Sequence, residues 1–330
     1  MNWKSKKVLV TGSGGFIGSH LTEELMELGA DVRAMIHYNS DNTWGNLELI
    51  PQETKRELEV IAGDIRDPFF IQKAVKNCDI VLHLAALIAI PYSYMAPKEY
   101  FDTNVNGTLN VMQACLAEGV EKVVHTSTSE VYGTARYVPI DEGHPLQGQS
   151  PYSASKIGGD KIAESYYMSF DLPVATLRPF NTFGPRQSAR AVIPTIIAQM
   201  LSGKSKLELG SIAPVRDFSY VTDTAKAFIK VAESRDTVGT VVNSGTGEGY
   251  TIGEVAHKIK EITQSKAEIV TDEKRIRPEK SEVMQLICSN KKILKLADWK
   301  PENTFEEGLS ETVEYMKENL ARYKPNVYNI

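Results

Sequence analysis

Two short stretches hold the residues best suited to chemistry: Thr126-Ser-Thr-Ser-Glu-Val-Tyr-Gly133 and Tyr152-Ser-Ala-Ser-Lys156. The second reads as the opening of a helix, with Ser150 a good N-cap, Pro151 suited to the first helical position and an apolar pattern behind them. Tyr152 and Lys156 are four residues apart, so on that helix they share a face. An ammonium beside a phenol favours the phenolate and lowers its pKa, and the positive end of the helix dipole acts in the same sense. A tyrosine poised in this way is a candidate general acid/base. The first stretch reads as the end of a buried strand, with Val123, Val124 and His125 running into it and Gly133 breaking it. Glu130 follows that strand end, where a carboxylate is a candidate second base.

The N-terminal part of the chain supplies the elements that must hold a ligand against these groups. Lys7-Val-Leu-Val-Thr11 is a short apolar run of the kind found in strands buried on both faces. Gly12-Ser-Gly-Gly15-Phe16-Ile17-Gly18 follows, then residues 19–28 with helical spacing and Gly29 as the stop. Glycines at 12, 15 and 18 permit a tight turn, close backbone approach to a pyrophosphate and close helix–sheet packing. Free N–H groups at the helix start receive the phosphate charge. A glycine triplet is weak evidence by itself; its position between strand and helix identifies a dinucleotide site. The next strand, residues 31–36, runs into His37-Tyr-Asn-Ser40. It has neither an acid for a ribose 2′-hydroxyl nor a well-placed arginine for a 2′-phosphate, because Arg33 is mid-strand. NAD is therefore the expected cofactor, with NADP left open.

Residues 57–62 read as the third strand, ending in Gly63-Asp-Ile-Arg-Asp67, and Asp67 caps a helix that begins at Pro68. Asp64 is placed to accept from an adenine amino group while Ile65 covers the ring. Residues 79–84 form the fourth strand, in which His83 reads as a packed residue; Ala85-Ala86-Leu87 then lets backbone approach the cofactor. A long helix is expected over 97–118, with Asn104 tying it to a neighbouring loop through its amide. The polar loop 133–150 is a plausible rim of the site. After a strand at 172–177, Arg178-Pro-Phe-Asn-Thr-Phe-Gly-Pro-Arg186 leaves the sheet and βα alternation weakens. Short strands at 206–209, 216–221 and 240–243 and a helix at 222–233 follow, with capping boxes at Thr251/Glu254 and Thr304/Glu307. The expected fold is α/β: a Rossmann-type doubly wound parallel sheet over 1–180 and a smaller C-terminal α/β substrate domain over 181–330, partly interleaved with the first. Ligands bind such sheets at the C-terminal strand ends.

Composition narrows the function further. With 330 residues, 42% hydrophobic and 24% charged, the chain has the make-up of an ordinary globular protein. A net charge of −5 with scattered Lys and Arg is no footprint for nucleic acid. Cys78, Cys115 and Cys288 have neither metal-ligand nor CxxC spacing, so no metal is expected and a reducing compartment suits them. The apolar run 80–90 contains His83 and is too short to span a bilayer. No membrane association is expected, and the cytoplasm is the expected location.

TGSGGFIG, GDIRD, HLAA, STSEVYG, YSASK, RPFNTFGP, RDFSYV and RIRP occur in this order along almost the whole chain. Together they resemble the extended short-chain dehydrogenase/reductase family, whose members modify nucleotide sugars. The resemblance implies a cofactor held by Gly12, Gly15, Phe16, Ile17, Gly18, His37, Asp64, Ile65, Leu84, Ala85 and Ala86, with Tyr152 and Lys156. It implies Thr128, Ser129, Glu130, Tyr152 and Lys156 as reacting groups. Asn181, Arg216 and Arg277 are candidates for the substrate, because guanidinium forks suit a diphosphate, with Glu282 on the nucleoside ribose. Tyr92, Ser93 and Tyr94 either line the sugar pocket or cover the sheet.

Within this family the 4-epimerases usually carry a small polar residue at the place of Glu130. The 4,6-dehydratases and UDP-glucuronate decarboxylases carry the glutamate. Many dTDP-glucose dehydratases read Thr-Asp-Glu; this chain reads Thr128-Ser-Glu130, as GDP-mannose 4,6-dehydratases do. With RIRP followed by Ser281-Glu-Val283, the chain most resembles legionaminic-acid-pathway dehydratases of GDP-N-acetylglucosamine. The resemblance implies C4 oxidation, C5 deprotonation, loss of water from C6 and hydride return. It also implies a homodimer through the 97–118 and 151–169 helices. The competing readings are a UDP-glucuronate decarboxylase, a 4-epimerase and, from another class, a non-catalytic dinucleotide sensor.

Overall fold

A computed structural model describes residues 1–325. Strands β1 (Lys7–Thr11), β2 (Asp31–His37), β3 (Glu59–Gly63), β4 (Ile80–His83), β5 (Lys122–Thr126) and β6 (Val174–Pro179) pair in parallel. The chain then forms β7 (Asn181–Phe183), β8 (Lys206–Leu209), β9 (Val215–Arg216) and β10 (Phe218–Tyr220) before β11 (Val241–Ser244) returns alongside β6. The resulting seven-stranded order is β11-β6-β5-β4-β1-β2-β3. Winding reverses between β1 and β4, which opens a crevice at their C-terminal ends.

The period of two in the strands builds a core on each face of this sheet. Val8, Val10, Ile80, Leu82 and Val124 face one side, with Leu21, Leu25 and Phe228. Leu9, Val81, Val123 and Val174 face the other, with Ile71, Met112, Cys115 and Ala163. The helices up to this point are α1 (Phe16–Glu27), α2 (Gln52–Glu57), α3 (Pro68–Val75), α4 (Ile90–Met95), α5 (Pro97–Phe101), α6 (Gly107–Glu118), α7 (Pro151–Phe170), α8 (Val192–Leu201) and α9 (Val221–Glu233); α1 and α9 supply the partners on the first face, and α3, α6 and α7 those on the second. α1 packs on α9, and α6 packs on both α3 and α7.

The helix expected over 97–118 is interrupted. Between α5 and α6, Asp102–Asn106 winds as a π-helical turn, with Asn104 buried inside it. A π turn adds a residue to the helix and rotates the succeeding turns about its axis, a distortion common where a side chain must reach inward. The expected caps do form. Ser150 and Ser153 bond reciprocally to each other's backbone N–H at the head of α7, and Asp67 accepts from Phe69 and Phe70 N–H at the head of α3.

Beyond residue 180 a second apolar core gathers Phe183, Ile196, Ile197, Phe218, Val255, Ile259, Phe305, Leu309 and Val313. Here β7 pairs with β10; β9 lies between β12 (Tyr250–Thr251) and β14 (Gln285–Leu286); and β8 pairs with β13 (Glu268–Thr271). Both expected capping boxes open helices in this part: α10 (Ile252–Thr263) and, after α11 (Lys291–Ala297), α12 (Phe305–Glu318). Among the described residues, no helix is long and apolar enough to cross a membrane.

Candidate active site

The glycine turn after β1 is shaped by backbone contacts. Gly12 has φ +76°, and a Cβ there would lie 2.9 Å from the amide nitrogen of Ala85. A Cβ on Gly18 would lie 2.2 Å from the carbonyl oxygen of Gly12. The turn and the first helical residues therefore form a cradle of bare backbone. No side chain caps the start of α1 and no acid lies in its first turn, so its N–H groups stand ready for an anion.

At the far end of this crevice the structure changes the expected picture. Arg66 clasps the Asp64 carboxylate, with Nη2 at 2.6 Å and Nε at 2.9 Å, and His37 Nε2 lies 3.6 Å away. Arg66 is the chief reason the Asp64 pKa falls. Ile65 does not present its side chain as a cover for a base. It is 4% exposed and packs at the Cα of Gly107, where a Cβ would meet its Cδ1 at 2.6 Å. Arg33 bonds to Glu59 at 2.8 Å and to the carbonyls of Ala74 and Lys76, which commits it away from the end of β2.

A directed chain of hydrogen bonds links the cofactor turn to the reacting residues. Leu84 and Ala85 N–H both donate to Thr11 Oγ1 at 3.1 Å, and His83 Nδ1 lies 2.9 Å from the same hydroxyl. His83 Nε2 is 3.1 Å from Thr108 Oγ1, which donates to the Asn104 carbonyl at 2.7 Å. Thr108 thus uses its proton on Asn104, and a neutral His83 carrying its proton on Nε2 satisfies every partner. Burial holds His83 well below its usual pKa. The Asn104 amide accepts from Leu87 N–H and donates to Leu87 O and Ser155 Oγ, all at 2.9 Å. Ser155 Oγ in turn donates to Tyr152 O at 2.7 Å.

Thr128, Glu130, Tyr152 and Lys156 meet at the ends of β5 and α7. Thr128 caps a short turn, Ser129–Tyr132, by accepting from Glu130 N–H at 3.2 Å. Ser129 is buried beside it at 2% exposure. Lys156 Nζ donates to the Thr126 carbonyl at 2.6 Å, and the Tyr152 ring meets Tyr100 edge-on at 6.2 Å. The expected lowering of the Tyr152 pKa is not found. Burial raises it, the Thr128 hydroxyl opposes the rise, and the charge of Glu130 adds to it. Burial also lowers Lys156 to about 8, against the pull of Asp160. Burial therefore favours the neutral form of both groups, keeping Tyr152 a phenol at rest and weakening the charge that Asp160 holds on Lys156. Among the described residues, the Glu130 carboxylate has no hydrogen-bond or ion-pair partner. Its charge nevertheless acts on both Tyr152 and Arg216, so it lies within reach of each.

The expected substrate residues also converge. Arg216 is 5% exposed, and its Nη2 lies 3.5 Å from Glu282 Oε1; Arg277 Nη1 lies 3.6 Å from the same oxygen. Glu282 therefore bridges two guanidinium groups instead of standing clear for a ribose. Arg277 Nη1 and Asn181 Oδ1 are buried without hydrogen bonds among the described residues. The segment carrying Glu282 is held across the cleft by Tyr94 (hydroxyl 2.6 Å from Ser281 Oγ) and by Gln149, which donates to Lys280 O at 3.0 Å. Of its neighbours, Ser93 is fully buried and donates to Ile90 O, and Tyr92 donates to Glu99. Arg186 pairs with Glu23.

Sequence reasoning missed a buried cluster below this site: His125, Ser127, Asp160 and Arg178. The available signal was spacing, since Asp160 is four residues after Lys156 and eight after Tyr152, on the same helix face.

Comparison with known proteins agrees with this geometry. Residues 9–312 match the profile of the GDP-mannose 4,6 dehydratase family. A dTDP-D-glucose 4,6-dehydratase of Mus musculus is 32% identical, over 97% of this chain and 91% of its own. A putative UDP-glucose 4-epimerase of Methanocaldococcus jannaschii is 34% identical, over 94% of this chain and 99% of its own. Among solved structures, the dTDP-glucose 4,6-dehydratase DesIV of Streptomyces venezuelae, with NAD and TYD bound, superposes with a TM-score of 0.87. It is 29% identical and covers 97% of this chain and 99% of its own.

Proposed function

The chain belongs to the GDP-mannose 4,6-dehydratase family of nucleotide-sugar enzymes, and from that we propose that it is an NAD-dependent nucleotide-sugar 4,6-dehydratase acting on GDP-N-acetylglucosamine. One observation carries the choice of dehydration: near Tyr152, the Glu130 carboxylate has no hydrogen-bond or ion-pair partner among the described residues. Oxidation at C4 alone needs one proton acceptor, and elimination needs a second. The choice of sugar rests on the likeness around Arg275-Ile-Arg-Pro278 and Ser281-Glu-Val283.

The cradle at Gly12, Gly15 and Gly18 fits a dinucleotide, since a Cβ at any of the three would meet backbone of the turn itself or of Ala85 at 3.0 Å or less and force the tight turn open. The uncapped start of α1 would receive its charge, and Lys156 its nicotinamide ribose. NAD suits the site because Arg33 is committed elsewhere. When bound, the nicotinamide supplies a hydride acceptor and later a donor.

The chain's own residues move the protons. Tyr152 must first give up its own proton to solvent; as phenolate, with Lys156 compensating the charge, it takes the proton of the sugar 4-hydroxyl, and Thr128 hydrogen-bonds the same oxygen. The C4 ketone makes the C5 hydrogen acidic, and Glu130 removes it. Hydroxide leaves C6 as water, taking its proton from Glu130 or from Ser129 through a water. Arg216 and Arg277 neutralise the diphosphate, which displaces them from Glu282.

The test is incubation with NAD and a panel of GDP-, UDP-, dTDP- and CDP-sugars, read by mass spectrometry. A product lighter by one water from GDP-N-acetylglucosamine is expected. Loss of carbon dioxide from a uronic acid, or an isomer of unchanged mass, would replace the assignment. Glu130→Gln should keep NAD affinity and lower turnover by about 10²–10⁴-fold, the usual loss for an acid/base group. Undiminished turnover in that variant defeats the role given to Glu130.

A further inference from the structure

One turn beyond Lys156 on α7 lies Asp160, a carboxylate 4% exposed that the proton transfers above do not use. Its Oδ2 accepts from Ser127 Oγ at 2.8 Å and from Arg178 Nη2 at 2.9 Å and Nε at 3.2 Å, and Oδ1 lies 3.2 Å from His125 Nε2. Arg178 Nη1 also donates to the Tyr132 hydroxyl at 3.0 Å, which donates to Asn243 Oδ1 at 2.7 Å. One buried anion thus joins α7 to β5 and β6, with β11 attached through Tyr132. The hydrogen bond made by Lys156 runs to the same strand end, at Thr126 O.

We propose that Asp160 is a positioning residue for catalysis: it clamps α7 to the ends of β5 and β6, and its fixed charge keeps Lys156 an ammonium beside Tyr152. The inference rests on Tyr152 and Lys156 handling the 4-hydroxyl proton, and not on the elimination that comes after it. With Lys156 and Arg178 as cations and Asp160 as anion, the cluster has one excess positive charge around the phenol and none around the phenolate. Without Asp160 both states gain a positive charge. Each proton held by the tyrosine–lysine pair is then released more readily, and the two titrate as a unit.

Other groups face this pair from the elements packed around it. His83 on β4 and His125 on β5 are both held down by burial, and Tyr100 on α5 and Glu130 lie at the phenol. Asp160 is the charge that acts on Lys156 itself, opposing the burial that brings the lysine to about 8.

The experiment is an NMR titration of ¹⁵N-lysine-labelled protein, with the Lys156 Nζ signal assigned by its loss in Lys156→Met. In Asp160→Asn the midpoint should fall by about one pH unit, the lower end of the range for removing an opposite charge at helical i,i+4 separation. Asp160→Glu should restore most of it. In parallel, both limbs of the pH profile for cofactor reduction by substrate should move to lower pH. A purely structural role would lower the amplitude and leave both limbs in place. Should Asp160→Asn fail to fold because Arg178 is left unpaired, Asp160→Asn/Arg178→Met removes anion and counter-ion together; because Asp160, one helical turn away, is the charge that acts on Lys156, the midpoint should still fall, by less than in Asp160→Asn. An unmoved lysine midpoint in the folded variant overturns the proposal. That reading holds whether or not any nucleotide sugar is turned over, so failure of the dehydratase assignment is seen separately.

Discussion

Asn104 offers a direct measure of how the cofactor side is tied to the reacting side. It is 1% exposed, and its amide makes three hydrogen bonds of 2.9 Å, to Leu87 N–H, Leu87 O and Ser155 Oγ. Asn104→Ala removes all three and leaves both backbone groups of Leu87 without their partner. Each such bond is worth about 1 kcal/mol net, and each group orphaned away from water costs about 1–3 kcal/mol. Leu87 is only partly buried, so water recovers some of this, and a loss of about 2–4 kcal/mol is expected. For a chain of this length that corresponds to a Tm lowered by about 3–6 °C. Asn104→Asp keeps the size and the acceptor for Leu87 N–H, but turns the other oxygen, as a carboxylate, against Leu87 O. At pH 8 it should be at least as destabilising as alanine. When protonated it can donate to Leu87 O, so its folded-state pKa is raised. The stability lost at high pH should therefore return as pH falls from 8 toward about 4. Differential scanning calorimetry of the three proteins at pH 8 and pH 5 is the assay. An alanine variant within about 1 °C of wild type, or an aspartate variant with no recovery in acid, would refute the reasoning.

Other consequences can be checked singly. Gly18→Ala puts a methyl against backbone atoms of Gly12, which cannot step aside, and should weaken NAD binding at least about tenfold by calorimetry. Gly119→Ala, at φ +67° with open space around it, should leave NAD binding alone and cost about 1–2 kcal/mol of stability; equal NAD affinity in both variants would contradict the cradle. Lys122 is 3% exposed, donates to Ser234 O and Thr237 Oγ1 at 2.8 Å, and is brought by burial to about 8. Between that pH and about 10.4 the unfolded chain holds the extra proton, so this lysine makes stability rise with pH by up to about 3 kcal/mol. Urea unfolding of Lys122→Met should lack that rise, and parallel curves for the two proteins would exclude it. Arg216→Lys should raise KM for the nucleotide sugar about tenfold with NAD affinity unchanged, since an ammonium cannot reproduce the fork. A fall in kcat at constant KM would instead assign Arg216 to Glu130.

The residues themselves determined whatever depends on near neighbours in the chain. The apolar strand runs, the glycine turn, the cap at Ser150 and the boxes at Thr251 and Thr304 were legible, because each is a rule about spacing over a few residues; Asn104 was also read as an amide tie, although its partners Leu87 and Ser155 are 17 and 51 residues away. The order of the family motifs located Glu130, Tyr152 and Lys156 in the same way. Tertiary structure alone decided how these groups are charged and what shares their space. It buried Tyr152 deeply enough to raise a pKa expected to fall, turned Ile65 into the core, set Glu282 between Arg216 and Arg277, and gathered His125, Ser127, Asp160 and Arg178 around one anion. Desolvation and long-range pairing depend on what surrounds a group in three dimensions, and no local spacing encodes that surrounding.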